Sequence, residues 1–169
     1  KTWRSLGDEY EAFEEEISDI LKSLSEIGVN VYIGDDKYFA FNTRGLYSVK
    51  GNDMFLNERY LSNPTMMVKV LRHEGWHIAQ DCMAGTIDNT FTGVILQDGV
   101  VPDWIANGAE KTYPQRAVPY EAEAMYAAFS DSMTRDALKV CAGPKKMWEV
   151  YKPTPLTKKW LLEQGFIAK

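Results

Sequence analysis

Both histidines of this 169-residue chain stand four positions apart, in the run His73-Glu74-Gly75-Trp76-His77. Four residues is close to one helical turn, so on an α-helix the two imidazoles project from one face. The flanking residues supply that helix. Asn63-Pro64 joins a side chain that caps helix N-termini to a proline suited to the first helical position. Met67, Val70, Leu71 and Ile78 add an apolar stripe. The pattern predicts a helix from Pro64 to about Cys82. Two imidazoles so placed can both reach one divalent ion, at about 2.0–2.1 Å. Glu74 lies one position round from His73, so its carboxylate stands beside the ion rather than on it. There it can act as general base toward a metal-activated water. The plain alternative is one histidine packed in the core and the other solvated.

A catalytic zinc site uses three protein ligands and keeps one position open. No third histidine exists, and positions 80 and 83 are Gln and Met. The remaining ligand is therefore a carboxylate or, failing that, a cysteine. Asp81 lies on the same straight helix, where three ligands converge poorly on one ion. Asp88, Asp98, Asp103 and Glu110 fall in a long Gly- and Pro-containing segment without rigid support. Glu121 and Glu123 open a second helical pattern, about 200° apart around its axis, so only one of them can face the metal. Glu121 shares its face with Ala124 and Met125, and a small neighbour lets two helices approach. Glu121 is the expected third ligand, with Glu123 solvated or hydrogen-bonded to a ligating histidine. A donor for a developing oxyanion is expected among Tyr113, Tyr120 and Tyr126.

On these motifs the chain resembles the zincin metallopeptidases, and within them the gluzincins, whose third ligand is a glutamate on a later helix. The run Glu121-Ala122-Glu123-Ala124 is similar to the E-x-x-A-D stretch of the HtpX-like peptidases, whose first glutamate binds zinc. Met125 stands where that family has Asp, and those proteins are membrane-embedded, so the likeness covers the two ligand helices only. It implies zinc as cofactor, His73, His77 and Glu121 as ligands, and Glu74 as catalytic base. It further implies a small sheet before the metal helix, with an edge strand that holds extended peptide.

The rest of the chain is compatible with one α+β domain spanning residues 1–169. Phe13, Ile17, Ile20, Leu21, Leu24 and Ile27 fall at helical spacing from Asp8 to Ile27, with Gly28 as a stop. Val29–Ile33, Tyr38–Asn42, Leu46–Val49 and Met54–Leu56 read as a small antiparallel sheet of three or four strands. Residues 84–116 read as loop with a short helix near Val100–Ala106. A long helix is expected from about Val118 to Leu138, and a short one near Leu156–Gln164. Along that straight helix Cys141 lies about 30 Å beyond Glu121, whereas a disulfide needs α-carbons within about 7 Å. Cys82 and Cys141 are therefore expected to be unbridged, unless the helix bends after about Arg135.

A net charge of −5 repels phosphate backbones and argues against nucleic acid as a partner. Residues 1–30 carry three basic and eight acidic side chains, and residues 139–169 carry seven basic and two acidic. The basic tail is expected to lie against the acidic first helix or to be solvated. No run approaches the roughly 20 apolar residues of a membrane span, so a soluble chain is expected, and with no exposed heptad or long apolar edge in the sequence a monomer is the default. The chain starts at Lys1 rather than Met, which fits an exported mature domain or a fragment and leaves the compartment open. The expected activity is zinc-dependent hydrolysis of peptide bonds in a peptide or protein substrate. Two other readings stand beside it: a non-catalytic metal- or peptide-binding domain of the same frame, and a zinc amidase acting on a non-protein amide.

Overall fold

The computed structural model describes residues 7–169; the first six residues of the expected domain lie outside the described part. The fold is α+β, with seven α-helices and one three-stranded mixed sheet among the described residues. A 3-10 turn over Asp8–Phe13 leads into α1 (Glu14–Ile27), so the expected helix begins in the tighter form. Ile17, Ile20 and Leu24 form its buried stripe. Gly28 ends it at φ 98°, and its N–H reaches the Leu24 and Ser25 carbonyls, a left-handed position where glycine carries no side-chain penalty.

The strands are β1 (Asn30–Gly34), β2 (Gly45–Ser48) and β3 (Asp53–Asn57), in spatial order β1-β3-β2. β3 pairs parallel to β1 and antiparallel to β2. The expected antiparallel sheet is thus corrected to a mixed one, and Tyr38–Asn42 is not a strand. Asp35 accepts the Lys37 N–H at 3.0 Å and starts a 3-10 turn instead. Tyr38 and Phe41 are 79% and 91% exposed, so this segment has no apolar face to bury in a sheet. β3 occupies the centre because it alternates buried Met54 and Leu56 against the core.

α2 (Pro64–Met83) is the central element. The Asn63 side chain caps it by accepting the Met66 N–H at 3.0 Å. The sheet, α4 and α5 all pack on it, so it is buried on several faces rather than along one stripe. Gly75, inside the histidine motif, is what admits α5. A Cβ there would lie 2.7 Å from Thr134 Cγ2 and 3.3 Å from Leu138 Cδ1. The Thr134 hydroxyl donates to the Arg72 carbonyl at 2.7 Å across the same contact. Arg72 itself holds Glu16 of α1 with two guanidinium nitrogens and donates to the Ala128 carbonyl at 3.2 Å. The residue before His73 is thereby tied to the first helix and to the end of α4.

The segment after α2 has no regular structure until α3 (Asp103–Thr112), which starts and ends later than the expected short helix. The long helix expected over Val118–Leu138 is two helices, α4 (Val118–Ala127) and α5 (Met133–Ala142). Ser130 causes the break: its hydroxyl accepts the Met133 N–H at 3.1 Å and starts α5 afresh. This turn corrects the cysteine expectation. It brings Cys141 back to Cys82 with 5.9 Å between α-carbons, and the two form a disulfide. α5 lies against α1, where Arg135 Nε donates to Asp19 at 2.7 Å and Lys139 Nζ lies 2.9 Å from the same carboxylate. Arg135 and Lys139 of α5 thus pair with Glu15 and Asp19 of the acidic first helix, whereas the tail's Lys145, Lys146, Lys152, Lys158 and Lys159 are exposed and make no ion pair with it among the described residues. The chain ends in α6 (Met147–Val150) and α7 (Pro155–Glu163). No helix among the described residues is long and apolar enough to cross a membrane.

Candidate metal centre

The uncovered side of α2 presents His73, Glu74, His77 and Gln80 to a cleft of about 800 Å³. The opposite wall is the start of α4. α4 packs on α2, and its buried Ala124 and Ala127 belong to the same core as the apolar side of α2, small side chains that suit a close approach of the two helices. Glu121 Oε2 is 3.0 Å from His73 Nε2, and Oε1 is 3.2 Å from His77 Nε2. One ligand atom from each of the three lies within 4.8 Å of the others. Two imidazole nitrogens and a carboxylate oxygen, from two helices, thus converge on one point and could hold a metal ion. All three side chains are less than one-fifth exposed.

The electrostatics fit a cation at that point. Burial opposes charge on Glu121, but the two imidazoles outweigh it and bring the carboxyl down to about 2. Burial likewise opposes charge on His77, and the Glu121 contact overrides it, raising the imidazole to about 9. The contact that favours positive charge between His77 Nε2 and Glu121 equally suits a metal cation at that point. The other nitrogen of His77 is fixed by Gln80. The Gln80 amide nitrogen faces two acceptors, the Tyr120 carbonyl at 3.0 Å and Glu123 Oε1 at 2.9 Å. Its oxygen must then turn to His77 Nδ1, 2.9 Å away, so Nδ1 carries a hydrogen and Nε2 is the metal-facing atom.

Glu123 is not solvated, contrary to one of its two expected roles. It is 2% exposed and accepts from Trp76 Nε1 at 3.2 Å, Gln80 Nε2 at 2.9 Å and the Leu96 N–H at 2.6 Å. The Ile95 N–H adds a fourth donor at 3.0 Å. It reaches His77 through Gln80 rather than directly, and it ties the irregular segment to both ligand helices. Trp76 is core, 1% exposed, with its indole N–H serving this carboxylate. Asp81 also lies away from the centre, under β2, with Tyr47 Oη 2.6 Å from its Oδ2.

Glu74 is 9% exposed and lines the same cleft without joining the ligand group. Burial raises its pKa, the neighbouring histidines pull it back, and the Tyr47 backbone N–H of β2 faces its carboxylate. Of the three tyrosines expected nearby, two line the cleft. Tyr113 lies with its hydroxyl against Glu121, pushed up to about 12 by burial and by the charges of Glu121 and Glu74. Tyr120 contributes its carbonyl to Gln80 and its ring to the cleft. Tyr126 is not there: it lines a separate hollow beside Arg72 and Asp131. Reading the sequence missed Gln80 and Arg44, both on the cleft wall. A signal for Gln80 existed, since it lies three residues beyond His77 on the same helix face. None existed for Arg44, which stands just before β2 and comes from a distant part of the chain.

No family model matches the chain, and no curated protein or solved structure was found to be similar to it.

Proposed function

We propose that this chain is a zinc-dependent metallopeptidase with a zincin-like arrangement, in which His73, His77 and Glu121 hold the ion and Glu74 is the general base. The observation that carries the reading is the convergence of two histidines and a glutamate beside a separate, buried carboxylate in one open cleft. A His₂Glu donor set suits zinc, and a binding-only site has no need of the fourth acidic group. When bound, the ion supplies Lewis acidity toward a carbonyl oxygen and lowers the pKa of water. Glu74 takes a proton from the attacking water as its oxygen bonds to the scissile carbonyl carbon. The carbon–nitrogen bond then breaks, and Glu74 returns the proton to the departing amine. Tyr113, which lines the same cleft with its hydroxyl against Glu121, would donate to the oxyanion that develops on the carbonyl once that hydrogen turns from the carboxylate.

Peptide as substrate is supported by β2. It is an edge of the sheet and lines the cleft, so an extended chain can pair with it as an added strand. Gly45 fits this role. A Cβ there would meet Val70 Cγ1 at 2.6 Å and Glu74 Cγ at 3.1 Å, so the absent side chain lets β2 lie close over the base. The test is elemental analysis for zinc, followed by digestion of a peptide library with and without chelator. Glu74→Gln is expected to keep the metal and lose at least about a hundredfold in cleavage. Chelator-sensitive cleavage that survives in Glu74→Gln would falsify the assignment of the base.

A further inference from the structure

Five of the large hydrophobic side chains left exposed by the fold gather at two ends of the metal cleft. At one end are Leu46 and Phe129, with Trp104 edge-on to Phe129 at 5.6 Å between ring centroids. At the other are Phe91 and Leu156, 53% and 68% exposed. The second end is a separate hollow of about 240 Å³, and it is built rather than incidental. Phe91 stacks on Trp160, with centroids 3.9 Å apart. Trp160 is fixed by its indole N–H, which donates to the Ala84 carbonyl at 3.0 Å. The facing wall is pinned by the Thr157 hydroxyl, which donates to the Val94 carbonyl at 2.8 Å. Thr92 and Tyr120 line both this hollow and the metal cleft, so the two are neighbours that share a wall. Tyr120 immediately precedes Glu121 in the chain.

Resting on the peptidase reading, we propose that this hollow is a subsite for one aromatic side chain of the substrate polypeptide, set away from the bond that is cut. Three observations favour that occupant. Phe91, Val94, Tyr120, Leu156 and Trp160 give the walls a mostly aromatic and aliphatic character beside Lys159 and Glu163, and aromatic rings favour aromatic partners. The volume is below that of sites which take whole drug-sized ligands and suits a single side chain. The hollow adjoins, across Thr92 and Tyr120, the cleft that the unpaired edge of β2 lines, so a chain extended along that strand can reach it with a side chain some way from the cut bond.

The test uses pairs of internally quenched peptides that differ only by phenylalanine or alanine at one position, walked along both sides of the cleaved bond. At one position the zinc-loaded protein is expected to favour phenylalanine in kcat/KM by about tenfold or more. In Leu156→Glu, and in Phe91→Ser combined with it, that ratio is expected to fall to about one. A parallel arm measures fluorescence anisotropy of labelled phenylalanine and alanine peptides on zinc-loaded Glu74→Gln, where no turnover is needed. Cleavage with no aromatic preference at any position overturns the subsite and leaves the peptidase reading intact. Absence of cleavage, with phenylalanine-dependent binding that Leu156→Glu abolishes, does the reverse. A preference that persists in both variants also overturns the subsite, because another surface then supplies it.

Discussion

Replacing Asp81 with asparagine isolates one buried charge and gives it a pH signature. Asp81 is fully buried, and its Oδ1 has no hydrogen-bond partner among the described residues. Oδ2 is 2.6 Å from the Tyr47 hydroxyl, which is also 3.1 Å from Asn52 Oδ1. A phenol has one proton, so if Tyr47 donates to Asn52 then Asp81 must be the donor to Tyr47. Burial agrees, pushing Asp81 up to about 7; the Tyr47 contact opposes that, and nearby Asp88 adds to it. The unfolded value is about 3.9. Between about pH 4 and pH 7 the folded chain therefore holds a proton that the unfolded chain has lost, and stability falls as pH rises through that window. A difference of about three pH units corresponds to a ceiling of about 4 kcal/mol, which hydration and relaxation cut to about 2 kcal/mol. An asparagine at this position would keep the shape without the charge. Relative to wild type, Asp81→Asn is expected to be near neutral at about pH 4 and about 2 kcal/mol more stable at about pH 8. For a chain this size that is a rise of about 4–8 °C in Tm. Urea unfolding across pH, with chelator present and the disulfide intact, reads the difference. Equal destabilisation of the variant at both ends would refute the reasoning, because it would mean that Asp81 is charged in the fold and its contact with Tyr47 is net favourable.

Three further outcomes follow from the centre and its supports. The ion must displace the proton that Glu121 holds on His77, raised to about 9, so metal affinity is expected to climb with pH up to that value. Titration calorimetry near neutral pH, in buffers of different ionisation enthalpy, is expected to show about one proton released per ion; no release would remove the His77–Glu121 account. Gln80→Leu takes away the acceptor that fixes His77 Nδ1–H and is expected to weaken metal binding about 10- to 100-fold, with unchanged affinity counting against that link. Cys141→Ser opens a loop closed across 59 positions and is expected to cost about 2–4 kcal/mol in chemical unfolding, where a loss under about 0.5 kcal/mol would contradict it.

What could be read from the sequence divides along the range of the interactions. His73, Glu74 and His77 are set by one helix, and the i, i+4 relation needs no knowledge of the rest of the fold. The Asn63-Pro64 start and the Gly28 stop were legible for the same reason, since each acts within one turn. Choosing Glu121 over Glu123 needed one step more: the small residues that share its helix face. The sheet was harder. Tyr38–Asn42 has the composition of a strand, but composition does not reveal that no partner covers it. The parallel pairing of β1 with β3 depends on where β2 and its hairpin settle, which no local pattern encodes.

The cysteines show how one short-range signal can control a long-range result. Ser130-Asp131-Ser132 is a run of N-cap formers inside an otherwise continuous apolar pattern, and the periodicity on either side hid it. Once Ser130 restarts the helix, α5 folds back along α2, Gly75 meets Thr134, and Cys141 reaches Cys82. The same reversal keeps α4 short, with Glu121 of its first turn on the histidines and Met125 and Ala128 further along the same cleft. Its third turn is needed elsewhere, because the Ala128 carbonyl at its end accepts from Arg72. The glycine within the motif and the serine 55 positions later are therefore parts of one device. The glycine opens the space on the back of the metal helix, and the serine supplies the turn that fills it. A bulkier residue at 75 would push α5 off α2 and disturb Arg72, and with it the helix position from which His73 projects.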